Sequence, residues 1–158
     1  MKQLWAPWRM EFLNQNMDGC IFCTIFKETT DQENLILFRG SSSYIVLNRF
    51  PYTSGHLLIV TNSHIASIED LDPDSQLEIM DFTTRSVRVL RKVYKPEGFN
   101  IGTNIGKSAG AGVVDHLHFH IVPRWSGDAN YMESLAETKV IPESLDVTYK
   151  RIASEWLK

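Results

Sequence analysis

Three histidines at alternate positions, in the run His116-Leu117-His118-Phe119-His120, are the residues of this chain best placed to do chemistry. The whole chain has only 5 histidines, so their gathering here is not an effect of composition. Alternate side chains of a β-strand share a face. That puts His116, His118 and His120 in one row and turns Leu117, Phe119 and Ile121 toward a core. Imidazole titrates near pH 6.5. One ring of such a row can therefore be a neutral nucleophile while a second holds phosphate oxygens and a third orients the others. The same spacing also suits a three-histidine zinc centre, and spacing alone does not separate the two readings.

The surroundings favour phosphate. The run GKSAGAG, residues 106–112, lies just ahead of the histidines, with Asn104 upstream. Glycines let backbone N–H groups come close to an anion. By itself a glycine cluster more often marks a plain turn; in front of a histidine row it reads as a phosphate cradle. His56, at the head of an apolar run, reads equally as a partner of the row or as a packed structural histidine. Cys20 and Cys23 form a lone pair in CIFC. A disulfide framework suits such a pair less than a metal half-site or a redox pair does. Two buried cysteines packing as small apolar residues is the simpler alternative.

The elements that must position these residues follow from the pattern. Leu35–Phe38 and Tyr44–Asn48 read as strands joined by a turn containing Gly40 and three serines. The apolar run 56–61 reads as a third strand, Phe99–Ile105 as a fourth and His116–Val122 as a fifth. Asp72–Tyr94 is the clearest helix, with Asp72 as cap and Pro73 in the first turn. Leu77, Met80, Val87, Leu90 and Tyr94 make its expected apolar stripe. A helix is also expected after Pro142, with Leu145, Tyr149, Ile152 and Trp156 on one face. The predicted class is α+β: a mostly antiparallel sheet of about five strands, a long central helix and a C-terminal helix. Residues 1–158 read as one domain, with segment 1–34, containing short helical pieces around CIFCTIFKE, and the tail 130–158 as extensions.

The composition agrees with a globular domain: 158 residues, 43% of them apolar, with a net charge of −3. A net negative chain lacks the basic surface that nucleic acids or anionic membranes select. No apolar run reaches the roughly 18 residues of a membrane span. The opening MKQLWAPWRM has no apolar signal core, so a cytoplasmic location is expected.

HLHFHIV resembles the alternating signature of the histidine-triad superfamily. The segment LNRFPYTSGHLLIVTNSHI resembles the strand–loop–strand of that fold, and PRWSGDANYM, LWAPWRMEFL and AETKVIPESL resemble, in particular, its diadenosine tetraphosphate phosphorylase branch. The resemblance implies a nucleotidyl-histidine mechanism in which His118 is the nucleophile, His120 contacts phosphate and assists the leaving group, and His116 fixes the row. It implies that Asn48 binds ribose, that Val46 and Leu58 wall the base, and that Asn104 with Ala111 and Gly112 binds phosphate. Trp125 would border the phosphate-acceptor subsite. The branch often has serine where this chain has Gly112, so the acceptor phosphate would lose a hydroxyl partner here. Cys20, Cys23, His64 and His116 match the ligands of a structural zinc site in several members. The same resemblance implies a homodimer acting on adenine nucleotides and inorganic phosphate, with no organic cofactor. Trp5, Trp8 and Trp156 are expected in the core or at the dimer interface. Hydrolysis of dinucleoside polyphosphates or nucleoside phosphoramidates, nucleotide binding with incidental catalysis, and a zinc hydrolase are the competing readings.

Overall fold

A computed structural model describes residues 19–128 and 140–157. Trp5, Trp8 and the segment 129–139 lie outside the described residues. The order is α1 (Ile21–Lys27), β1 (Ile36–Arg39), β2 (Ser43–Leu47), β3 (Leu57–Thr61), α2 (Pro73–Tyr94), β4 (Gly98–Thr103), β5 (His118–Arg124) and α3 (Leu145–Trp156). The five strands form one antiparallel sheet in the order β1-β2-β3-β5-β4. With α2 and α3 packed together on the sheet, this is the α+β fold that the pattern predicts.

β2 and β3 are buried along their whole length, because they are central strands covered on both faces. One face carries Ile45, Leu57, Ile59 and Ile121, in a core with Leu90, Ile152 and Trp156. Toward the β1 edge Phe38 packs on Phe82 of α2 and Trp156 of α3. The other face carries Tyr44 and Val46 and, across Val60 and Leu58 of β3, His118 and His120. Over it lies α1: Phe26 stacks on Tyr44, and the Tyr44 hydroxyl donates to the Phe22 carbonyl at 2.9 Å. Arg39 donates to the carbonyls of Phe26 at 2.6 Å and Glu28 at 2.8 Å, closing the C-terminal end of α1.

Two expectations change. The strand expected from His116 begins at His118, because the Leu117 amide turns to the loop after β3 and donates to the Ile65 carbonyl. The expected stripe of α2 holds in its second half, where Leu90 is buried and Val87 and Tyr94 pack on the core, and fails in its first. Leu77 and Met80 are 63% and 62% exposed, whereas Ser75, Ile79, Phe82, Ser86, Val89 and Leu90 are buried. Ser75 and Ser86 are small enough to let the helix close on its neighbours, a role that a count of apolar residues misses. The predicted start holds: the Asp72 side chain accepts from the Ser75 amide, and Pro73 opens the first turn.

Glu78 of α2 grips the β1–β2 turn. Its carboxylate accepts from the amides of Ser41, Ser42 and Ser43 at 2.7–2.9 Å and from two serine hydroxyls. Gly40 makes this approach possible, since a Cβ there would lie 2.5 Å from Phe82 and 2.7 Å from the Glu78 carboxylate. Burial alone would push the Glu78 carboxyl up, but bonds from Ser43 and the Ser42 and Ser41 amides outweigh it and hold it below its ordinary 4.5. A carboxyl lowered by folding contributes stability fully above its unfolded value, and loses it as pH falls through the folded one. Glu78→Gln is expected to cost about 1.5–3 kcal/mol at neutral pH. The gap to wild type should narrow below pH 4.5, as read by urea unfolding across that range; a gap independent of pH would refute the assignment.

Candidate active site

His118 opens β5 on the face covered by α1. Its Nδ1 lies 2.8 Å from the His116 carbonyl oxygen. A carbonyl only accepts, so Nδ1 carries the ring proton and Nε2 carries the lone pair. Thr103 of β4 donates to the His118 carbonyl at 2.7 Å, and the Phe22 ring packs 5.0 Å from the imidazole. Burial then holds the His118 imidazole below its ordinary 6.5. At neutral pH it is an uncharged ring with a fixed tautomer, the state a nitrogen nucleophile requires.

His120 has the opposite polarity. The Tyr52 amide, which can only donate, lies 3.1 Å from His56 Nδ1. His56 is fully buried, and in its neutral form the remaining proton sits on Nε2, 2.9 Å from His120 Nδ1. His120 Nδ1 therefore accepts, and its Nε2 bears the proton. The two rings stand 5.1 Å apart, one offering a lone pair and the other an N–H. Tyr52 stacks on His120 at 5.8 Å and fixes the plane of its ring. His56 is thus a partner of the row, through a contact that links β3 to β5.

The third histidine turns elsewhere. The His116 ring donates from Nε2 to the Thr61 carbonyl at 2.7 Å, which leaves Nδ1 as a lone pair. That lone pair faces Cys20 Sγ at 3.2 Å, Cys23 Sγ at 3.5 Å and His64 Nδ1 at 3.3 Å; Cys23 Sγ and His64 Nδ1 are 3.4 Å apart. One donor atom from each of these four residues lies within 4.8 Å of all the others. A tetrahedral zinc with bonds of about 2.0–2.3 Å separates nitrogen ligands by about 3.3 Å and nitrogen from sulfur by about 3.6 Å. The observed spacings fit. The His116–Thr61 bond is the outer support that a metal-bound imidazole ordinarily has. Burial and the adjoining Cys20 push the Cys23 thiol up. Two thiols this close ionise together readily only beside a cation.

The remaining expected site residues fall in three places. Val46, Leu58 and His120 lie in one row across β2, β3 and β5, and Gly102 of β4 completes it. Asn104 and His120 border an open cavity of about 470 Å³ that runs on to Arg124 and Asp128. Asn48 sits beside His56, its Nδ2 3.3 Å from His56 Nδ1 and its Oδ1 accepting from the Phe50 amide. Ala111 is buried and Gly112 exposed in the loop leading to His116. Trp125 meets Tyr94 of α2 edge-on and is not among the residues lining the cavity. Sequence reasoning missed Phe22, Tyr52 and Gly102. The first two act through rings that reach His118 and His120 from far away in sequence, and Gly102 shows only once the β4–β5 register is known.

Residues 29–127 match the HIT domain family, and the chain belongs to it. It is 38% identical to a Mycobacterium tuberculosis protein named AP-4-A phosphorylase, over 100% of this chain and 86% of that one. It is 29% identical to the adenosine 5'-monophosphoramidase hnt1 of Schizosaccharomyces pombe, over 87% of this chain and 98% of that one. Among solved structures, a hypothetical histidine triad nucleotide-binding protein of Sulfolobus tokodaii matches with a TM-score of 0.70 and 26% identity, covering 87% of this chain and 92% of that one.

Proposed function

We propose that the protein is a nucleotidyltransferase that cleaves dinucleoside polyphosphates by phosphorolysis, converting diadenosine tetraphosphate and phosphate to ATP and ADP. The observation that carries this is the opposed polarity of His118 and His120. His118 Nε2 attacks the α-phosphorus, forming a P–N bond while the bond from that phosphorus to its bridging oxygen breaks. The bridging oxygen of the departing ATP accepts a hydrogen bond from His120 Nε2–H, which stabilises the charge it takes on. Phosphate then attacks the adenylyl group, the P–N bond breaks, and ADP leaves. Each step brings one anion, rather than two, to the phosphorus at a time. The 38% identity to a protein named for this reaction supports the choice of acceptor and substrate.

In this reading Asn48 bonds the ribose, and Val46 and Leu58 wall the base. Asn104 and the backbone at Ala111 and Gly112 hold phosphate, and Trp125 borders the acceptor. Cys20, Cys23, His64 and His116 hold a zinc ion whose contribution is structural, tying α1 to the loops beneath the histidine row. The protein works in the cytoplasm as a homodimer. No helix of the described residues is long and apolar enough to cross a membrane. Exposed Leu77 and Met80 on α2, with Ile101 at 48% exposure on edge strand β4, supply apolar surface for a second copy.

Product analysis with and without inorganic phosphate tests the function. ATP plus ADP appearing only with phosphate is the expected result, and it would show that Gly112 suffices at the acceptor site. AMP plus ATP in both conditions would make the enzyme a hydrolase.

A further inference from the structure

Gly102 stands directly opposite His120 in the β4–β5 ladder. Residues paired in this way project to the same face, so a side chain at 102 would stand beside the His120 imidazole. A Cβ at this position meets no heavy atom within 4 Å, and the backbone is ordinary extended strand. The usual reasons for a strand glycine, a left-handed turn or a close neighbour, are therefore absent. Elsewhere the same row carries Val46 and Leu58. What the missing side chain does is open the cavity of about 470 Å³ next to His120.

That cavity has a direction. Beyond Gly102 and His120 the next pairs are Asn100 with Val122 and Gly98 with Arg124. At about 3.4 Å per residue, the trough from His120 to Arg124 is about 14 Å long, room for several linked phosphates. At its far end Arg124 donates to Asn100 at 2.6 Å and is paired with Asp128. The leaving group departs on the His120 side, because His120 Nε2–H bonds the oxygen that takes on its charge.

We propose that Gly102 is a specificity-determining residue whose absent side chain admits the leaving nucleoside polyphosphate beside His120. This rests on the reading that the substrate is a dinucleoside polyphosphate.

The test compares wild type with Gly102→Val and Gly102→Ala. Valine suits a strand, and unchanged thermal melting establishes that each variant is folded. Two readouts are taken: kcat/KM for diadenosine tetraphosphate, and the inhibition constant of AMP, which fills only the adenylyl half of the site. Gly102→Val is expected to lower the first at least tenfold and move the second less than threefold, with Gly102→Ala between wild type and Gly102→Val. If both readouts shift together, or neither shifts, Gly102 has no such role, while wild-type turnover leaves the proposed function standing. A wild type inert toward diadenosine tetraphosphate overturns both.

Discussion

Replacing His118 with alanine is expected to lower kcat by about four orders of magnitude or more, the loss typical of removing an activated nucleophile. The geometry leaves no substitute. Among the described histidines of the row, His118 has its Nδ1 proton tied to a main-chain carbonyl and so presents Nε2 as a base. His116 directs its lone pair at the cysteines, and His120 presents an N–H. His120→Ala should be milder, about a hundred- to thousand-fold, because a hydrogen-bond donor to the leaving oxygen is lost but the bond-forming atom remains. Intact-mass analysis of quenched reactions separates the two roles. Wild type shows a transient adenylyl-protein, His118→Ala shows none, and His120→Ala forms it slowly. Burial disfavours the His118 imidazolium, so the acid limb of kcat/KM should fall below the ordinary value of 6.5. Appreciable turnover by His118→Ala would rule out the covalent route altogether.

The second large effect concerns the four-residue cluster. Cys20→Ser combined with Cys23→Ser is expected to abolish zinc in the purified protein and to cost at least about 3 kcal/mol, since binding to a preformed site is linked to folding. For a chain of this size that is a melting shift of about 6–12 °C. The same shift should follow removal of zinc from wild type by a strong chelator, and be reversed by adding zinc back. Catalysis should survive chelation at temperatures where the apo-protein stays folded, because in the proposed mechanism His118 attacks phosphorus, His120 bonds the departing oxygen, and neither belongs to the four-residue cluster. Immediate loss of activity on chelation, with melting unchanged, would instead make the ion catalytic. A wild type that carries no zinc would discard the site.

What could be read from the residues alone was local. The Asp72–Pro73 start of α2, the alternation in β5 and the antiparallel class all depend on neighbours within a few positions, where propensity and periodicity act directly. The signature in 116–122 was legible for the same reason, although the ladder takes up the chain only at His118. What was not legible depends on partners far away in sequence. The buried face of α2 is set by where Gly40 and the serine turn let Glu78 and Phe82 settle. His56 could not be assigned until β3 was aligned with β5. The grouping of His116 with Cys20 and Cys23, more than ninety positions away, was legible through the family resemblance and not through spacing.

The proton order of the His118–His120 pair is written by groups that do not titrate: a main-chain carbonyl at one end and a main-chain amide at the other. The site is consequently a fixed template with an acceptor pole and a donor pole. A mimic that offers an electrophilic or donating centre to His118 and an accepting oxygen to His120 meets a match at both ends. The same mimic reversed would set donor against donor and lone pair against lone pair. Handedness along the phosphate chain is thus built into the backbone, and changing the buffer or the side chain at position 52 would not invert it.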